Sequence, residues 1–409
     1  MKNILWISMM LPYQTVGHAG GKSFNYYINR FANDENYNVT LIAKVLPEEK
    51  EHIKDINSNI CFLPVATPEN GIQRVWCYVK SANSKLNPFY PYGNVLTKEI
   101  YDQIEDRLYE LKRDDYRPDI IILEWTWMML WIDNVKKYFP NAKYVATEHD
   151  VSFLGYYRKW VTEKNVLKKL KKYLRYVNVK KREICAAQKC DYVLALNEKD
   201  RNLLLKNEVN KTRVGTLTPF FEKPKSIDRK PNRKDIIFYG AMGRAENAIS
   251  AKWFVENVMP LISDLNVRFL IVGSNPPDEI KSLQSEDICV TGFVNDVVPY
   301  FETSMCMVAP LQLGAGIKIK VLEGLAMGIP VLTNEIGIEG IDAKDGKEYL
   351  FCKSPEEYAD SIRKIVNGTI NTDLLSQNAM DFIKKHFDFQ KSYEEYSARL
   401  KKLCDNNLY

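Results

Sequence analysis

The chain has 409 residues, more than one ordinary hydrophobic core supports, so its length predicts two domains. Hydrophobic residues make up 45% and charged residues 27%, a composition that excludes a disordered or fibrous chain. The 57 basic and 52 acidic residues leave a net charge of +5, too small for this length to indicate nucleic acid as a partner.

The cysteines and histidines form no pattern typical of a metal site. Eight cysteines are scattered without a C-x-x-C pair, and none of the four histidines stands at metal-ligand spacing from a cysteine. We therefore expect no metal or other cofactor, and free, mostly buried thiols in a reducing cytoplasm. The longest apolar run, 125–132, is too short to cross a bilayer.

Short apolar runs alternate with longer segments of helical periodicity in the first half. The opening residues, MKNILWISMMLPYQ, lack a cleavage site typical of a signal peptide and are predicted to include a buried strand. Unbroken apolar strands separated by helices, such as those predicted over 21–33 and 94–112, are typical of a parallel α/β sheet. The strands are predicted over 3–8, 38–44, 60–65, 119–124, 142–148 and 191–196.

A second α/β series follows the segment 219–234, which carries three prolines and several basic residues without periodicity and is predicted to be a linker. Two doubly wound, Rossmann-like domains are therefore predicted, over 1–218 and 219–387, with ligand crevices that face each other at the carboxyl ends of the strands. The strands of the second series are predicted over 235–241, 267–273, 288–293, 305–311, 330–334 and 349–352.

A glycine-rich turn at 314–316 precedes a predicted helix that begins at Ile317. Unpaired backbone N–H groups and the helix dipole make such a helix start a site for an anion. Lys318 and Lys320 add two full charges, so the turn is predicted to bind phosphate. The spacing matches neither a P-loop nor the dinucleotide-binding fingerprint. Glu323 has two interpretations: it bonds ribose hydroxyls, or it forms a Lys–Glu pair with Lys320 on a solvated helix face.

A second glycine-containing loop follows the strand predicted to end at Gly240. It carries Gly243 and Arg244 before a helix that is predicted to be capped near Asn247. An arginine can bind phosphate through two parallel hydrogen bonds, which a lysine cannot. The alternative for Arg244 is an ordinary exposed loop residue.

Two features of the first half carry candidate site residues. Gly20 and Gly21 follow the first strand and open a helix, which is either an anion site or a plain turn. Glu148, His149 and Asp150 follow a later strand at its carboxyl end. Three titratable residues at this position are hard to explain as core packing, and His149 is the candidate functional histidine.

The basic segment 164–182 has an apolar stripe at helical spacing, with lysines on its other face. One interpretation is a peripheral contact with an anionic membrane at its inner face. The preferred interpretation is a helix whose stripe packs on the core and whose lysines face water. The stripe consists of Val166, Leu167, Leu170, Tyr173, Leu174 and Val177.

Taken together, these motifs resemble the group 1 glycosyltransferases, a family of retaining enzymes with the GT-B fold. They occur in order along nearly the whole chain, and the stretch GAGIKIKVLEGLAMGIPVLTNEIGIEGI is the most specific of them. The others are the Gly20–Gly21 loop, EHD (148–150), CDYVLALNEKD (190–200), FYGAMGRAENAISAKWF (238–254) and TGFVNDV (291–297).

The resemblance implies a GT-B fold whose terminal helix, 388–409, crosses back to the first, acceptor-side domain, while the second domain binds a nucleotide-sugar donor. It implies that Lys320, with Lys318, and Arg244 hold the diphosphate and that Glu323 holds the ribose. Phe293 and Val294 would lie near the base, Gly20 and Gly21 near the phosphates, and His149 beside the transferred sugar. The candidate catalytic residues are His149, Arg244 and Lys320, and the remaining candidate donor-binding residues are Gly240, Gly314, Ala315, Gly316 and Ile317.

The chain departs from the family pattern at one position. Many members carry two glutamates seven residues apart, and the first of these often contacts the donor sugar. Counting back from Glu323, that position is Ala315, so the backbone amides of 315–317 would serve where relatives use a carboxylate.

The implied activity is transfer of a sugar, most simply a hexose, from a nucleotide-diphosphate-sugar to a glycan or lipid-linked acceptor, with retention, as in polysaccharide biosynthesis. The chain has no D-x-D motif, so fixed positive charges would replace a metal at the leaving group. The alternatives are a nucleotide-sugar epimerase on the same fold and a catalytically inactive nucleotide-sugar-binding protein.

Overall fold

A computed structural model of the protein describes residues 1–16, 19–66, 98–221, 229–232, 234–314 and 316–405. The chain forms two compact units. The first unit comprises Met1–Phe220 and Phe389–Tyr409, and the second comprises Phe221–Asp388. The division lies inside the predicted linker, of which residues 222–228 and 233 are outside the described part of the chain.

The first unit is built on a parallel sheet with the strand order β3-β2-β1-β4-β5-β6-β7. Six of its strands were predicted; the seventh has only three residues, too few for an apolar pattern to mark it. The strands are β1 (Lys2–Ser8), β2 (Tyr37–Val45), β3 (Ile60–Ala66), β4 (Ile120–Glu124), β5 (Lys143–Glu148), β6 (Tyr192–Ala195) and β7 (Val214–Thr216).

Helices cover the sheet of the first unit, and the unbroken apolar strands lie in its core. All five residues of β4 are buried, as expected for a central parallel strand. The helices are α1 (Ala19–Ala32), α2 (Lys98–Arg113), α3 (Thr126–Met129), α4 (Ile132–Lys136), α5 (Ser152–Val161), α6 (Val166–Lys189) and α7 (Glu198–Lys206), with 3-10 turns at Pro47–Asp55 and Lys211–Arg213.

The terminal helix α14 (Phe389–Cys404) belongs to the first unit. The hydroxyl groups of Tyr27 and Ser392 lie 2.7 Å apart, and those of Tyr37 and Ser397 lie 2.8 Å apart. These buried bonds join α14 to the beginning of the chain. The predicted return of the terminal helix to the first domain is thus confirmed.

The second unit is also built on a parallel sheet, with the order β10-β9-β8-β11-β12-β13. The strands are β8 (Asp235–Tyr239), β9 (Arg268–Val272), β10 (Ile288–Gly292), β11 (Cys306–Ala309), β12 (Val331–Thr333) and β13 (Leu350–Phe351). The helices are α8 (Ala245–Asn257), α9 (Asp278–Lys281), α10 (Val298–Thr303), α11 (Ile319–Ala326), α12 (Pro355–Val366) and α13 (Thr372–His386), with a 3-10 segment at Met259–Leu265.

The strand order gives each unit one point at which the winding reverses. This point lies between β1 and β4 in the first unit and between β8 and β11 in the second. In doubly wound sheets, ligands bind at the carboxyl ends of the strands beside such a point. The candidate residues follow β1 and β5 in the first unit and β8, β10 and β11 in the second.

The preferred interpretation of the basic segment 164–182 is wrong for its apolar stripe. Val166 and Leu167 on α6 are 79% and 81% exposed, and Leu170 is 57% exposed. The helix packs instead through a different face, which includes Arg175, Val179 and Glu183. Among the described residues, no helix is long and apolar enough to cross a membrane.

The described cysteines are all free, as predicted, but most of them are not buried. Cys190, Cys306 and Cys352 are buried, whereas Cys61 and Cys185 are exposed. Cys77 lies outside the described residues.

Candidate functional site

The glycine-rich turn of the second unit joins β11 to α11. Gly314 and Gly316 have φ angles of 135° and 69°, which a residue with a side chain rarely adopts. The helix begins at Ile319 with Lys318 as its N-cap residue, two residues later than predicted, because these glycines and the half-buried Ile317 form an irregular turn. Ala315 lies outside the described residues.

Lys320 lies in the first turn of α11 with its ammonium group enclosed by the protein. The Nζ atom is 2.6 Å from Oδ1 of Asn247 and 4.7 Å from the centre of the buried Phe238 ring. Burial, and secondarily the charge of Arg244, lowers the pKa of Lys320 to about 7. A Cβ atom at Gly240 would lie 2.7 Å from this Nζ atom, so the glycine leaves space for the ammonium.

Asn247 is not the helix cap that the sequence predicted. The N-cap residue of α8 is Arg244, and Asn247 lies in the first turn. Its Nδ2 atom donates a hydrogen bond of 2.8 Å to the carbonyl oxygen of Ala241, which fixes Oδ1 toward Lys320. Asn247 is therefore a site residue that the sequence interpretation missed.

Arg244 stands at the entrance of α8 with 61% of its side chain exposed. It forms an ion pair with Glu246, and it caps the helix whose first turn carries Asn247, the hydrogen-bonding partner of Lys320. An exposed guanidinium held by one exchangeable partner can rotate onto a bound anion. The structure thus brings Arg244 and Lys320 together as predicted.

The side chains of Lys318 and Glu323 are both largely shielded from solvent. The ammonium of Lys318 bonds the carbonyl of Gly316 and lies 3.7 Å from Glu339, whose side chain is 9% exposed. Lys318 therefore ties the turn to the segment after β12, through a carboxylate that the sequence interpretation missed. Glu323 is 8% exposed, so it does not lie on a solvated helix face.

Glycines also bring the ends of β8, β9 and β10 together. A Cβ atom at Gly273 would lie 1.8 Å from the carbonyl oxygen of Gly240, and the N–H of Gly273 donates to the carbonyl of Gly292 at 3.1 Å. Phe293 follows directly and is 73% exposed, while Val294 is half-buried. An exposed phenyl ring at this position can stack on a planar ligand.

In the first unit, His149 follows β5 and is held by a carboxylate from the neighbouring strand. Its Nε2 atom lies 2.6 Å from Oε1 of Glu124, the last residue of β4. The other carboxylate oxygen accepts a bond of 2.8 Å from the indole N–H of Trp6. Glu124 thus orients the imidazole, although the sequence interpretation treated it only as a strand residue.

Trp125 forms the second contact of the imidazole. The two rings stack with their centres 4.4 Å apart and an interplanar angle of 15°. Trp125 has φ 70° and ψ 150°, a conformation that is unusual outside glycine and costs roughly 1–3 kcal/mol. Such strain is often found at functional sites, and here it places an aromatic face against His149.

Gly20 approaches the free side of the same imidazole. A Cβ atom at Gly20 would lie 2.9 Å from Nδ1 of His149. This nitrogen is buried and has no hydrogen-bonding partner among the described residues. Gly20 and the buried Gly21 lie in the first turn of α1, so the structure brings the glycine pair and His149 together.

Glu148 and His149 have separate environments, although the sequence grouped them. Glu148 is completely buried, and burial followed by the neighbouring charge of Glu183 raises its pKa well above the usual range. Glu183 accepts hydrogen bonds from the backbone N–H groups of Ser152 and Phe153. The interpretation that these three residues are hard to explain as core packing is therefore wrong for Glu148, which is completely buried.

The chain is similar to known glycosyltransferases in sequence and to solved structures in fold. Residues 233–368 match the family model of glycosyl transferases group 1. An uncharacterized glycosyltransferase of Methanocaldococcus jannaschii is 21% identical over 433 aligned positions, which cover 97% of this chain and 98% of the relative. Sucrose-phosphate synthase of Thermosynechococcus elongatus has a similar structure, with a TM-score of 0.69, 13% identity and coverage of 98% of this chain and 99% of that one. HepE of Anabaena, solved in complex with UDP, has a TM-score of 0.64, 11% identity and coverage of 98% and 100%.

Proposed function

We propose that the protein is a group 1 glycosyltransferase whose second unit holds the diphosphate of a nucleotide-sugar donor. The sugar passes from this donor to a glycan or lipid-linked acceptor. The observation that carries the proposal is the buried ammonium of Lys320 at the start of α11, with Arg244 beside it. Two cations and a helix N-terminus meet where the winding of the sheet reverses.

A bound donor diphosphate would give the enclosed ammonium of Lys320 a role. Without an anion, burial disfavours the charged form and lowers the pKa of Lys320 to about 7. A diphosphate supplies the missing negative charge, so the ammonium gains its full interaction only when donor is bound. Arg244 is exposed and adds a planar donor that can contact two phosphate oxygens.

The ribose, the base and the sugar of the donor are proposed to bind to residues on and around the same turn. Glu323 lies one turn into α11 from Lys320 and is proposed to accept hydrogen bonds from the ribose hydroxyls. Phe293, with Val294, is proposed to contact the base. The backbone of 314–317 is proposed to contact the phosphates and the sugar, and Gly240 leaves room for the Lys320 ammonium.

In the first unit, His149 is proposed to contact the transferred sugar, with Gly20 and Gly21 near the phosphates. Glu124 engages Nε2 and fixes the ring, and the proposed role of His149 is to orient a sugar hydroxyl or to stabilise positive charge at the reacting carbon. His149 is proposed to act as an orienting residue, not as a sole base.

The proposed reaction breaks the bond between the anomeric carbon and the diphosphate and forms a bond from the acceptor oxygen to that carbon. The acceptor proton passes to the departing phosphate on the same face of the sugar, which retains the anomeric configuration. Lys320 and Arg244 stabilise the charge that develops on the diphosphate, and we propose that this replaces a metal ion. The site of action is proposed to be the cytoplasm.

A panel of nucleotides tests the donor site. UDP, GDP and ADP, each with its glucose conjugate, are added to the purified protein, and the unfolding temperature is measured. One base series should raise this temperature. Lys320→Ala and Arg244→Ala should each abolish most of the shift, while Arg363→Ala, which removes an exposed arginine that pairs with Asp264, should keep it.

Activity is tested with the nucleotide-sugar that binds. NMR of this compound with and without added glycan acceptors distinguishes transfer from the alternative functions. Transfer or slow hydrolysis to the retained anomer supports the proposal. An epimerised sugar nucleotide would contradict the proposed transfer, and an inverted product would contradict retention. Strict dependence on a divalent metal would contradict the proposed replacement of the metal by Lys320 and Arg244.

A further inference from the structure

A helical hairpin of the first unit projects an apolar surface into solvent. The hairpin consists of α5, the connection 162–165 and α6, and every residue of its tip from 164 to 170 is exposed. Val166, Leu167 and Leu170 are the most exposed large apolar residues on it. Tyr157, Val161, Tyr173 and Val177 extend the surface, each more than one-third exposed.

The apolar surface points away from the body of the first unit. On α6 the exposed positions 166, 170, 173 and 177 follow the three-to-four-residue spacing of one helix face. The buried positions 175, 179 and 183 follow the same spacing about half a turn away. An amphipathic surface helix ordinarily packs its apolar side inward, so this outward orientation requires an explanation.

The hairpin is also the most basic part of the chain. Residues 158–182 include eleven lysines and arginines and a single acidic residue, Glu163. Glu163 is itself held at 2.6 Å by Lys172. The surface therefore combines exposed aliphatic side chains with a large excess of positive charge.

Aromatic residues join the two helices near the apolar surface. Trp160 of α5 stacks on Tyr176 of α6, with ring centres 5.7 Å apart and an angle of 12°. Tyr157 and Tyr173 pack against the edge of the same pair. Tryptophan and tyrosine favour the boundary between water and lipid, where an apolar ring and a polar group both find partners.

An open groove of about 600 Å³ continues the apolar surface along α6. Val177 and Ile184 contribute apolar side chains to its lining. Three positive charges, from Lys180, Lys181 and Lys206, outnumber the single negative charge of Glu208. A groove with this lining suits an anionic headgroup together with the first part of its acyl chain.

We propose that this hairpin docks the protein on a bilayer that contains anionic phospholipid, with Val166, Leu167 and Leu170 inserted into the interface and the lysines on the headgroups. Nucleic acid would engage the lysines but offers no place for exposed leucine and valine. Two copies of the hairpin would bring their lysines together and repel each other. This inference does not depend on the donor or acceptor of the reaction.

Co-sedimentation of the full chain with vesicles tests the proposal. Vesicles of phosphatidylcholine alone are compared with vesicles that contain about one-third phosphatidylglycerol, a content at which juxtamembrane lysines gain measurable attraction. We expect binding to the anionic vesicles only, and release at about 0.5 M salt, where charges are screened over a few ångströms. Equal binding to both vesicle types, or no binding, would overturn the proposal.

Two pairs of matched variants locate the contact. Lys168→Glu/Lys169→Glu should lower the vesicle partition coefficient about tenfold or more, whereas Lys384→Glu/Lys385→Glu, which reverses two exposed neighbouring lysines on α13, should leave it unchanged. Leu170→Gln should weaken binding, whereas Leu374→Gln should not, although both leucines are 57% exposed.

Sedimentation velocity and circular dichroism complete the test. Each variant should keep the helical signal and the sedimentation coefficient of the unaltered protein. If Leu170→Gln instead converts a dimer to a monomer without affecting vesicle binding, the surface joins two copies and the proposal is wrong. Equal losses of vesicle binding in the hairpin variant and in its matched control would also refute the proposal.

Discussion

The ammonium of Lys320 and the side-chain oxygen of Asn247 lie 2.6 Å apart, although 73 positions separate the two residues in sequence. Asn247 reaches this position because its amide group donates to the carbonyl of Ala241 in the preceding loop. The contact holds the ammonium of Lys320 in place at the start of α11. It makes Asn247 a positioning residue for the proposed diphosphate site.

Replacing Asn247 should therefore weaken nucleotide binding. Asn247→Leu leaves the ammonium without its hydrogen bond, a loss of about 1.5–3 kcal/mol for a charged donor, and should raise the Kd of the binding nucleoside diphosphate roughly 10- to 100-fold. Isothermal titration calorimetry with UDP, GDP and ADP measures the Kd of the variant and of the unaltered protein. Asn257→Leu on the same helix is the control, because the Nδ2 atom of Asn257 donates an exposed hydrogen bond to the backbone carbonyl of Trp253. Equal effects of the two substitutions would contradict the assigned role.

Nucleotide affinity should depend on pH through Lys320. Burial lowers the pKa of Lys320 to about 7, so the ammonium of the free protein loses its proton as the pH rises above that value. Because the diphosphate requires the charged form, binding then takes up a proton and affinity should fall, by at most about tenfold per pH unit. Titrations in buffers of different ionisation enthalpy measure the proton uptake. Binding without proton uptake above the pKa would refute this prediction.

Lys320 should also lower the stability of the free protein. Its folded pKa of about 7 lies below the usual 10.5, so the unfolded chain binds more protons between these values and stability rises with pH across that window. Lys320→Met should abolish this rise and increase the free energy of unfolding near neutral pH by about 2–4 kcal/mol, while it abolishes nucleotide binding. Lys281→Met, at an exposed lysine of α9, should change neither property. Urea unfolding at several pH values measures the effect.

Gly20 and Gly155 provide a matched pair for the site of the first unit. Both lie in helices, but a Cβ atom at Gly20 would be 2.9 Å from Nδ1 of His149, while nothing lies within 4 Å of one at Gly155. Gly20→Ala should therefore displace the imidazole and lower kcat/KM at least about tenfold. Gly155→Ala should keep activity and stabilise its helix by about 0.5–1 kcal/mol. If Gly20→Ala has full activity, His149 does not need its observed position.

The alternation of apolar strands and helices in the sequence was sufficient to predict two doubly wound parallel sheets, and the resemblance to the group 1 glycosyltransferases implied the GT-B fold. The apolar runs of the central strands mark residues buried on both faces, and this signal is local in sequence. β7 was missed because three residues, one of them Gly215, cannot show such a run. The start of α11 was placed two residues early because the irregular turn at Gly316 has helix-forming neighbours.

Only some residues of the candidate site could be selected from the sequence, namely those whose type is common in binding or catalysis. Lys320, Arg244 and His149 were selected for their residue type, their place after strands and the resemblance to the group 1 glycosyltransferases. Asn247 and Glu124 could not be selected, because their roles depend on contacts with residues distant in sequence.

The stripe on α6 illustrates the limit of periodicity. The sequence pattern identifies an apolar face but not the direction in which it points. The packed face carries Arg175 and Glu183, and Glu183 satisfies two backbone N–H groups at the start of α5. A polar residue with partners inside the protein can thus face inward while the aliphatic side faces solvent.

Glu148 and Glu183 should make stability depend on pH in the direction opposite to Lys320. Burial raises the pKa of both carboxyl groups, so the folded state keeps protons that the unfolded chain releases above about 4.5. The stabilisation that this pair contributes is therefore complete at acidic pH and decreases as the pH rises toward the raised pKa values of the folded state.

Glu148→Gln removes one titrating group but keeps a neutral polar side chain of the same shape beside Glu183. We expect its free energy of unfolding to exceed that of the unaltered protein by about 1–3 kcal/mol near pH 8 and to match it near pH 5. Comparing the two proteins at each pH cancels the contribution of Lys320, which is common to both. Glu256→Gln, at an exposed glutamate of α8, is the control and should show no pH-dependent difference. A difference for Glu148→Gln that stays constant from acidic to alkaline pH would mean that Glu148 is ionised in the folded protein.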